Sequence, residues 1–188
     1  MPESFRDRES EHLLLREVRE EDTEDLFELF SDPLVAPYVD YAPHRTLEDT
    51  KRNLNYWRNR SVMQHLPLPY VLVLKEENKV IGNIDYTRRV REDGAEIGYQ
   101  LNSRYWGNGY MAEALAIMVE ESFLSMGLWR LQVCHQVGNT RSQRVIEKAG
   151  FIYEGTARKY AYDRMNKEFA DVRFYSLLKE EWKEKRDL

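Results

Sequence analysis

The sequence predicts a mixed α/β fold (α+β in its ordering), with a central, twisted, mostly antiparallel sheet of about seven strands flanked by about four helices. Three observations predict it. The middle of the chain holds two short apolar runs separated by a polar turn, Tyr70–Leu74 and Val80–Thr87, which is the pattern of an antiparallel hairpin. The later half then reads strand, long helix, strand, helix, strand, so at least one crossover connection and a partly parallel sheet are expected. No tract rich in Gly, Pro or Ser separates these elements, so the expectation is one domain over residues 1–188.

Taken in order, Leu13 to Val18 alternates weakly and reads as an edge strand, and Asp22 is placed to cap a helix carrying Leu26, Phe27, Leu29 and Phe30. Pro33 stops that helix. The stretch 34–45 contains Pro37, Pro43 and several aromatic residues, as an ordered loop would. Thr46 starts a second helix reaching about Asn59 and ending before Pro67. A second polar turn at 91–94 leads into the strand Ala95–Leu101. A long helix from near Gly109 to Met126 follows, with Gly127 at its end, then the strand Arg130–His135, a helix over Thr140–Ala149, and two final strands.

Composition narrows the functional classes. Four Trp, twelve Tyr and seven Phe exceed what a disordered acidic chain carries. A net charge of −5 predicts no nucleic-acid partner. No window approaches the ~18 consecutive apolar residues of a membrane helix, so no membrane association and a cytoplasmic location are expected. The single Cys134 has no Cys or His neighbour at ligand spacing; it reads as a buried structural thiol, and no metal is expected.

The chemistry concentrates at Gly107-Asn108-Gly109, where a strand hands over to the long helix. Glycines there let the backbone approach a bulky ligand, and the first N–H groups of a helix, with its dipole, suit a pyrophosphate. The same glycines would equally serve a tight strand-to-helix turn. Neither Gly-x-Gly-x-x-Gly nor Gly-Lys-Ser/Thr is present, which excludes the dinucleotide and metal-assisted phosphate loops and leaves a nucleotide diphosphate held without metal.

Arg104-x-x-Gly107-x-Gly109 resembles the acetyl-CoA signature of the GNAT superfamily. The likeness extends to Ala95-Glu-Ile-Gly-Tyr99, Tyr105-Trp-Gly-Asn-Gly-Tyr110 with Glu113-Ala114, Asn139-x-x-Ser142, Lys148-Ala-Gly-Phe151, and Asp171 ahead of Tyr175-Ser-Leu-Leu. Together these resemble the RimJ/RimL-type branch, which acetylates N-terminal amines of ribosomal proteins among other acceptors. The resemblance spans roughly residues 12–182 and implies a GNAT-type fold, acetyl-CoA as co-substrate and an amine as acceptor. A non-catalytic acyl-CoA sensor is the alternative it leaves.

The same resemblance places pantetheine along Ile97, Tyr99 and Leu101, and the pyrophosphate on the backbone of Trp106, Gly107, Asn108, Gly109, Tyr110 and Met111. Arg104 either contacts a phosphate or is simply solvated. Asn139 caps the following helix or bonds the pantetheine amide. Ser142 protonates the departing thiolate or bonds its own backbone. A tyrosine that many members carry one turn further on is replaced by Val145 and Ile146, so the proton donor is Ser142, water, or a tyrosine from elsewhere such as Tyr110, Tyr160 or Tyr162. Candidates for the base are Glu96 and Asp85; the position aligned with a glutamate of some RimL-like enzymes is Ala161, with Asp163 nearby. The acceptor side is expected from the first two helices, the 33–45 loop and residues 158–169, including Tyr38, Asp40, Tyr41, Trp57 and Asp163, whose acids and aromatic rings suit a protonated amine. Related enzymes are often dimers, and the aromatic-rich last strand is where two copies would pair.

Overall fold

The computed structural model describes residues 6–39, 41–90, 93–164 and 166–186; Asp40 and the start of the 91–94 turn lie outside them. The elements are β1 (Arg8–Glu9), β2 (Leu13–Glu17), α1 (Thr23–Phe30), α2 (Leu47–Gln64), β3 (Tyr70–Leu74), β4 (Lys79–Arg89), β5 (Gly94–Leu101), α3 (Tyr110–Leu124), β6 (Arg130–Gln136), α4 (Thr140–Lys148), β7 (Ile152–Asp163), β8 (Glu168–Leu178) and α5 (Lys179–Glu184). All eight strands form one sheet in the order β1-β2-β3-β4-β5-β6-β8-β7. The predicted mixed sheet is therefore present, with β1 and α5 added. Both are too short to carry a periodic signal.

The alternation of the strands sorts their side chains into two cores. In β3, which is buried along its whole length, Tyr70, Leu72 and Leu74 join the cluster beneath α3 and α4, whereas Val71 and Val73 join the one beneath α1 and α2. Burying each such aliphatic side chain stabilises the fold by about 1.5–3 kcal/mol. Trp57 belongs to the second core: it is 6% exposed and packs edge-on against Phe30 at 5.7 Å. Its expected place on the acceptor side is thus corrected, because α2 turns that face inward.

Two local expectations change for stated reasons. Asp22 does not cap α1 with its side chain; its carboxylate instead accepts from the Arg19 backbone N–H at 2.7 Å and from Arg16 at 2.6 and 2.8 Å, tying β2 to the turn that follows it. The α2 helix runs past Asn59 to Gln64 and ends where His65 enters the left-handed region at φ 52°. At its start, Thr46 and Asp49 form a reciprocal capping box.

The feature that positions the site is the β5–β6 contact. It is the one parallel pairing in the sheet order among the described residues, and its ladder covers only Gly94↔Arg130, Ala95↔Leu131 and Glu96↔Gln132. Both strands continue beyond that point, β5 to Leu101 and β6 to Gln136. They run on unpaired to each other, and the sheet is open between them.

Candidate functional site

A cleft of about 460 Å³ occupies the opening between β5 and β6. Residues 97–101 form one wall and 133–136 the other. The loop entering α3 lies at one end, the first turns of α4 close one side, and Val35, Tyr38 and Val39 reach over from the loop after α1.

The glycine loop is built by Asn102, whose side-chain oxygen accepts from the Arg104 N–H at 3.1 Å and starts a single 3₁₀ turn over Ser103–Tyr105. Trp106 Nε1 then donates to the Leu101 carbonyl at 2.8 Å. Gly107 and Gly109 have φ of 86° and 87°, and a Cβ at either would meet nothing within 4 Å. Glycine is required there for its left-handed backbone, not for lack of room. Gly109 is the N-cap of α3, so the free N–H groups of the first turn border the cleft.

Of the residues named from the sequence, Ile97, Tyr99, Leu101, Trp106, Gly107, Gly109, Tyr110, Met111, Asn139 and Ser142 all line the cleft. Met111 does so with its side chain in the core, leaving its backbone as the part a ligand would meet. Two of the residues named for cofactor binding do not line it. Arg104 pairs with Glu28 at 3.0 Å, and Asn108, whose amide turns back to the Tyr105 carbonyl at 3.2 Å, lines a neighbouring groove of about 400 Å³ shared with Lys148.

On α4, Asn139 Oδ1 accepts from the Ser142 N–H at 3.1 Å, so Asn139 is the helix cap. Ser142 Oγ lies 2.8 Å from the hydroxyl of Tyr99, which is also 3.3 Å from the Ser142 carbonyl. Burial raises the Tyr99 phenol well above its ordinary pKa, and the bond to Ser142 offsets only part of that rise.

The two candidate bases are both occupied. Glu96 accepts from Thr87 Oγ1 at 3.0 Å, the Arg88 guanidinium at 2.7 Å and Gln132 Nε2 at 2.8 Å. Asp85 is buried and paired with Arg60 of α2. Neither lines the cleft. Tyr160 and Tyr162 pack on Phe174 and Phe169 within the β7–β8 hairpin, and Asp163 bonds Asn166 across its turn. Ala161 pairs with Ala170 in the same hairpin. Tyr110 is the one tyrosine of the three candidates that borders the cleft.

Several lining residues escaped the sequence. Arg141 and Arg144 reach the cleft from the first turns of α4, opposite the glycine loop, and the Arg141 guanidinium lies 4.6 Å over the Trp106 ring. Their signal was two arginines at three-residue spacing after an N-cap. Tyr41, which the sequence placed on the acceptor side, does not line the cleft but donates to Gln100 Oε1 of its wall at 2.5 Å. Cys134 is half-buried in the cleft wall and not in the core, and its thiol is pushed up to about 12, chiefly by burial and then by the nearby Glu96. Along β6 the even residues are half-buried and the odd ones buried, an alternation that an apolar run alone could not reveal.

Residues 12–152 match the family described as acetyltransferase (GNAT) domain. The chain belongs to the GNAT acetyltransferases. It is 30% identical over 174 residues to the N-acetyltransferase p20 of Bacillus licheniformis, covering 92% of this chain and 96% of that one. Among solved structures, a GNAT-family acetyltransferase from Bacillus anthracis superposes with a TM-score of 0.82 at 30% identity, covering 93% of this chain and 99% of that chain. The ribosomal-protein-S5-alanine acetyltransferase of Vibrio fischeri gives 0.81 at 27% identity, covering 95% and 99%. GNAT acetyltransferases use acetyl-CoA, and the site has a slot between parted strands and a helix N-terminus at its end, which fit the extended pantetheine and the pyrophosphate of that molecule. Among the described residues, no helix is long and apolar enough to cross a membrane.

Proposed function

We propose that the protein transfers the acetyl group of acetyl-CoA directly to a primary amine, with a protein N-terminal α-amine as the acceptor. The observation that carries this is the cleft itself: a slot between β5 and β6 that leads from the glycine-capped start of α3 to Ser142. The acceptor assignment rests on the Vibrio fischeri relative, which is named for the alanine of a ribosomal protein.

In this proposal pantetheine lies along Ile97, Tyr99 and Leu101, and the pyrophosphate takes N–H groups of the segment from Trp106 to Met111. Arg141 and Arg144 supply positive charge beside it, in place of Arg104. The neutral amine attacks the thioester carbonyl, whose developing oxyanion is met by a β5 backbone N–H left free where β6 parts from it. Ser142 hydrogen-bonds the leaving sulfur. The ammonium proton leaves through water, and Glu96, on the same face of β5 as Gly98 and Gln100, is the carboxylate assigned to receive it. No step needs a metal. The chain acts as one domain over residues 1–188 in the cytoplasm, without nucleic acid or membrane. Two copies pair through the exposed aromatic face of the β7–β8 hairpin, where Tyr153, Tyr160, Tyr162 and Phe169 are each about half exposed.

The test is calorimetric titration with acetyl-CoA on wild type and on Gly109→Trp, followed by thiol release with N-terminal peptides and small amines. Binding lost in the variant, with release for peptides beginning in Ala or Ser, is expected. Binding without release for any amine would leave an acyl-CoA sensor in its place.

A further inference from the structure

Tyr99 on β5 and Ser142 on α4 are 43 positions apart in the chain and meet at 2.8 Å in the cleft wall. A serine in the first turn of a helix ordinarily turns its hydroxyl back to its own backbone, where its proton is of no use to a ligand. Here the one bond of Ser142 Oγ among the described residues is to the Tyr99 hydroxyl and none is to its own backbone, while Asn139 Oδ1 accepts from the Ser142 N–H at 3.1 Å and fixes the turn. The phenol reaches Ser142 Oγ at a shorter distance than the Ser142 carbonyl, 2.8 against 3.3 Å. A phenol donating to Oγ fills an acceptor position of the serine and leaves its O–H to point elsewhere, and the open side is the cleft that both residues line.

We propose that Tyr99 is a positioning residue for acetyl transfer: its hydroxyl donates to Ser142 Oγ, aims the serine O–H at the leaving sulfur, and strengthens it as a donor. This rests on the acetyl transfer set out above and assigns it a part that no residue had. Hydrogen bonds in a chain polarise one another, so a serine that accepts from a phenol is a better donor than a serine alone. The phenol keeps its proton throughout, since burial holds it neutral at any working pH. In the step it serves, the amine nitrogen forms its bond to the acetyl carbon, and the carbon–sulfur bond breaks with its electron pair going to sulfur. The sulfur, stabilised by the Ser142 hydrogen bond, leaves as the thiolate and takes a proton from solvent, while the proton the amine loses passes through water to Glu96. The net change is amine plus thioester to amide plus thiol.

The experiment is a double-mutant cycle on the whole protein with acetyl-CoA and an accepted amine, using Tyr99→Phe, Ser142→Ala and both together. Phenylalanine keeps the ring and its packing and removes only the hydroxyl. The expected result for Tyr99→Phe is kcat lowered about tenfold with KM for acetyl-CoA within about twofold, since the hydroxyl acts on the transition state and not on the bound ground state. The double variant is expected to be no slower than Ser142→Ala, because the phenol has nothing left to orient. A Tyr99→Phe variant with wild-type kcat would overturn the proposal. So would losses that multiply in the double variant, or a loss that appears in KM and melting temperature and not in kcat, which is what a packing role gives. Absence of thiol release by wild type would instead sink the transfer reaction and this role with it, whereas turnover that is indifferent to the Tyr99 hydroxyl removes this role alone.

Discussion

The carboxylate of Glu28 on α1 accepts a hydrogen bond from the side-chain amide of Asn102 at 3.0 Å, joining the first helix to the start of the glycine loop. The same carboxylate takes Lys79 at 2.9 Å and Arg104 at 3.0 Å. Neither Glu28 nor Asn102 lines the cleft. Asn102 is 3% exposed, and its oxygen starts the 3₁₀ turn that sets where Gly107 and Gly109 fall. Replacing it with alanine removes a cap and strands the N–H of Arg104, a cost of about 1–2 kcal/mol. Asn102→Ala is therefore expected to lower stability by that amount in urea melts and to weaken acetyl-CoA binding in calorimetry, although it touches no ligand.

Glu28 also gives the loop a pH dependence. Its pKa lies below the ordinary glutamate value, first because Lys79 hydrogen-bonds the carboxylate and then through Asn102, with burial opposing. A depressed carboxylate contributes stability that is present above its unfolded pKa and is lost as pH falls through the folded one. Glu28→Gln should thus be less stable than wild type at pH 7, by no more than about 1 kcal/mol for a side chain this exposed. The gap should close as pH drops below the usual glutamate range. Melts at stepped pH read the difference, and a gap that widened on acidification would be inconsistent with it.

What the sequence made legible divides by distance along the chain. Gly107, Gly109, Asn139 and Thr46 act on their own turns, so their residue types carry their roles within four or five positions. The hairpins and the crossover were readable for the same reason, each from one stretch of apolar period. Glu96 and Asp85 were not, because a carboxylate's role is set by what faces it. Arg88, Thr87 and Gln132 surround the first and Arg60 the second, and those partners come together only when the sheet and α2 assemble. Trp57 is the same case in apolar form, its direction being set by Phe30 on another helix. The pairing of Tyr99 with Ser142 needs both β5 and α4 in place.

Arg141 is expected to hold acetyl-CoA by charge and by closing the cleft end with Trp106, over whose ring it lies at 4.6 Å. Arg141→Ala loses both a cation beside the pyrophosphate and the stacking contact. An increase in Kd of about three- to tenfold at low salt is expected, shrinking as ionic strength rises and screens the charge. An Arg141→Lys variant should recover part of the charge effect without the planar stack. A Kd that is the same for wild type and Arg141→Ala at every salt concentration would show that the guanidinium faces solvent only.

Cys134 provides a chemical reporter of the cleft. Its thiol is pushed up to about 12 by burial and by Glu96, with Arg88 acting in the opposite sense. The thiolate is the reactive form, so at pH 7.5 alkylation should be orders of magnitude slower than for a free cysteine of ordinary pKa ~8.5. Two changes should move the rate in opposite directions. Glu96→Gln removes a nearby negative charge and leaves Arg88 unopposed, so labelling by iodoacetamide should accelerate. Saturating acetyl-CoA should slow it, because Cys134 lines the slot that pantetheine would fill. Mass spectrometry of the labelled protein follows both. Labelling at wild-type speed in the presence of saturating acetyl-CoA would place the ligand outside the β5–β6 cleft.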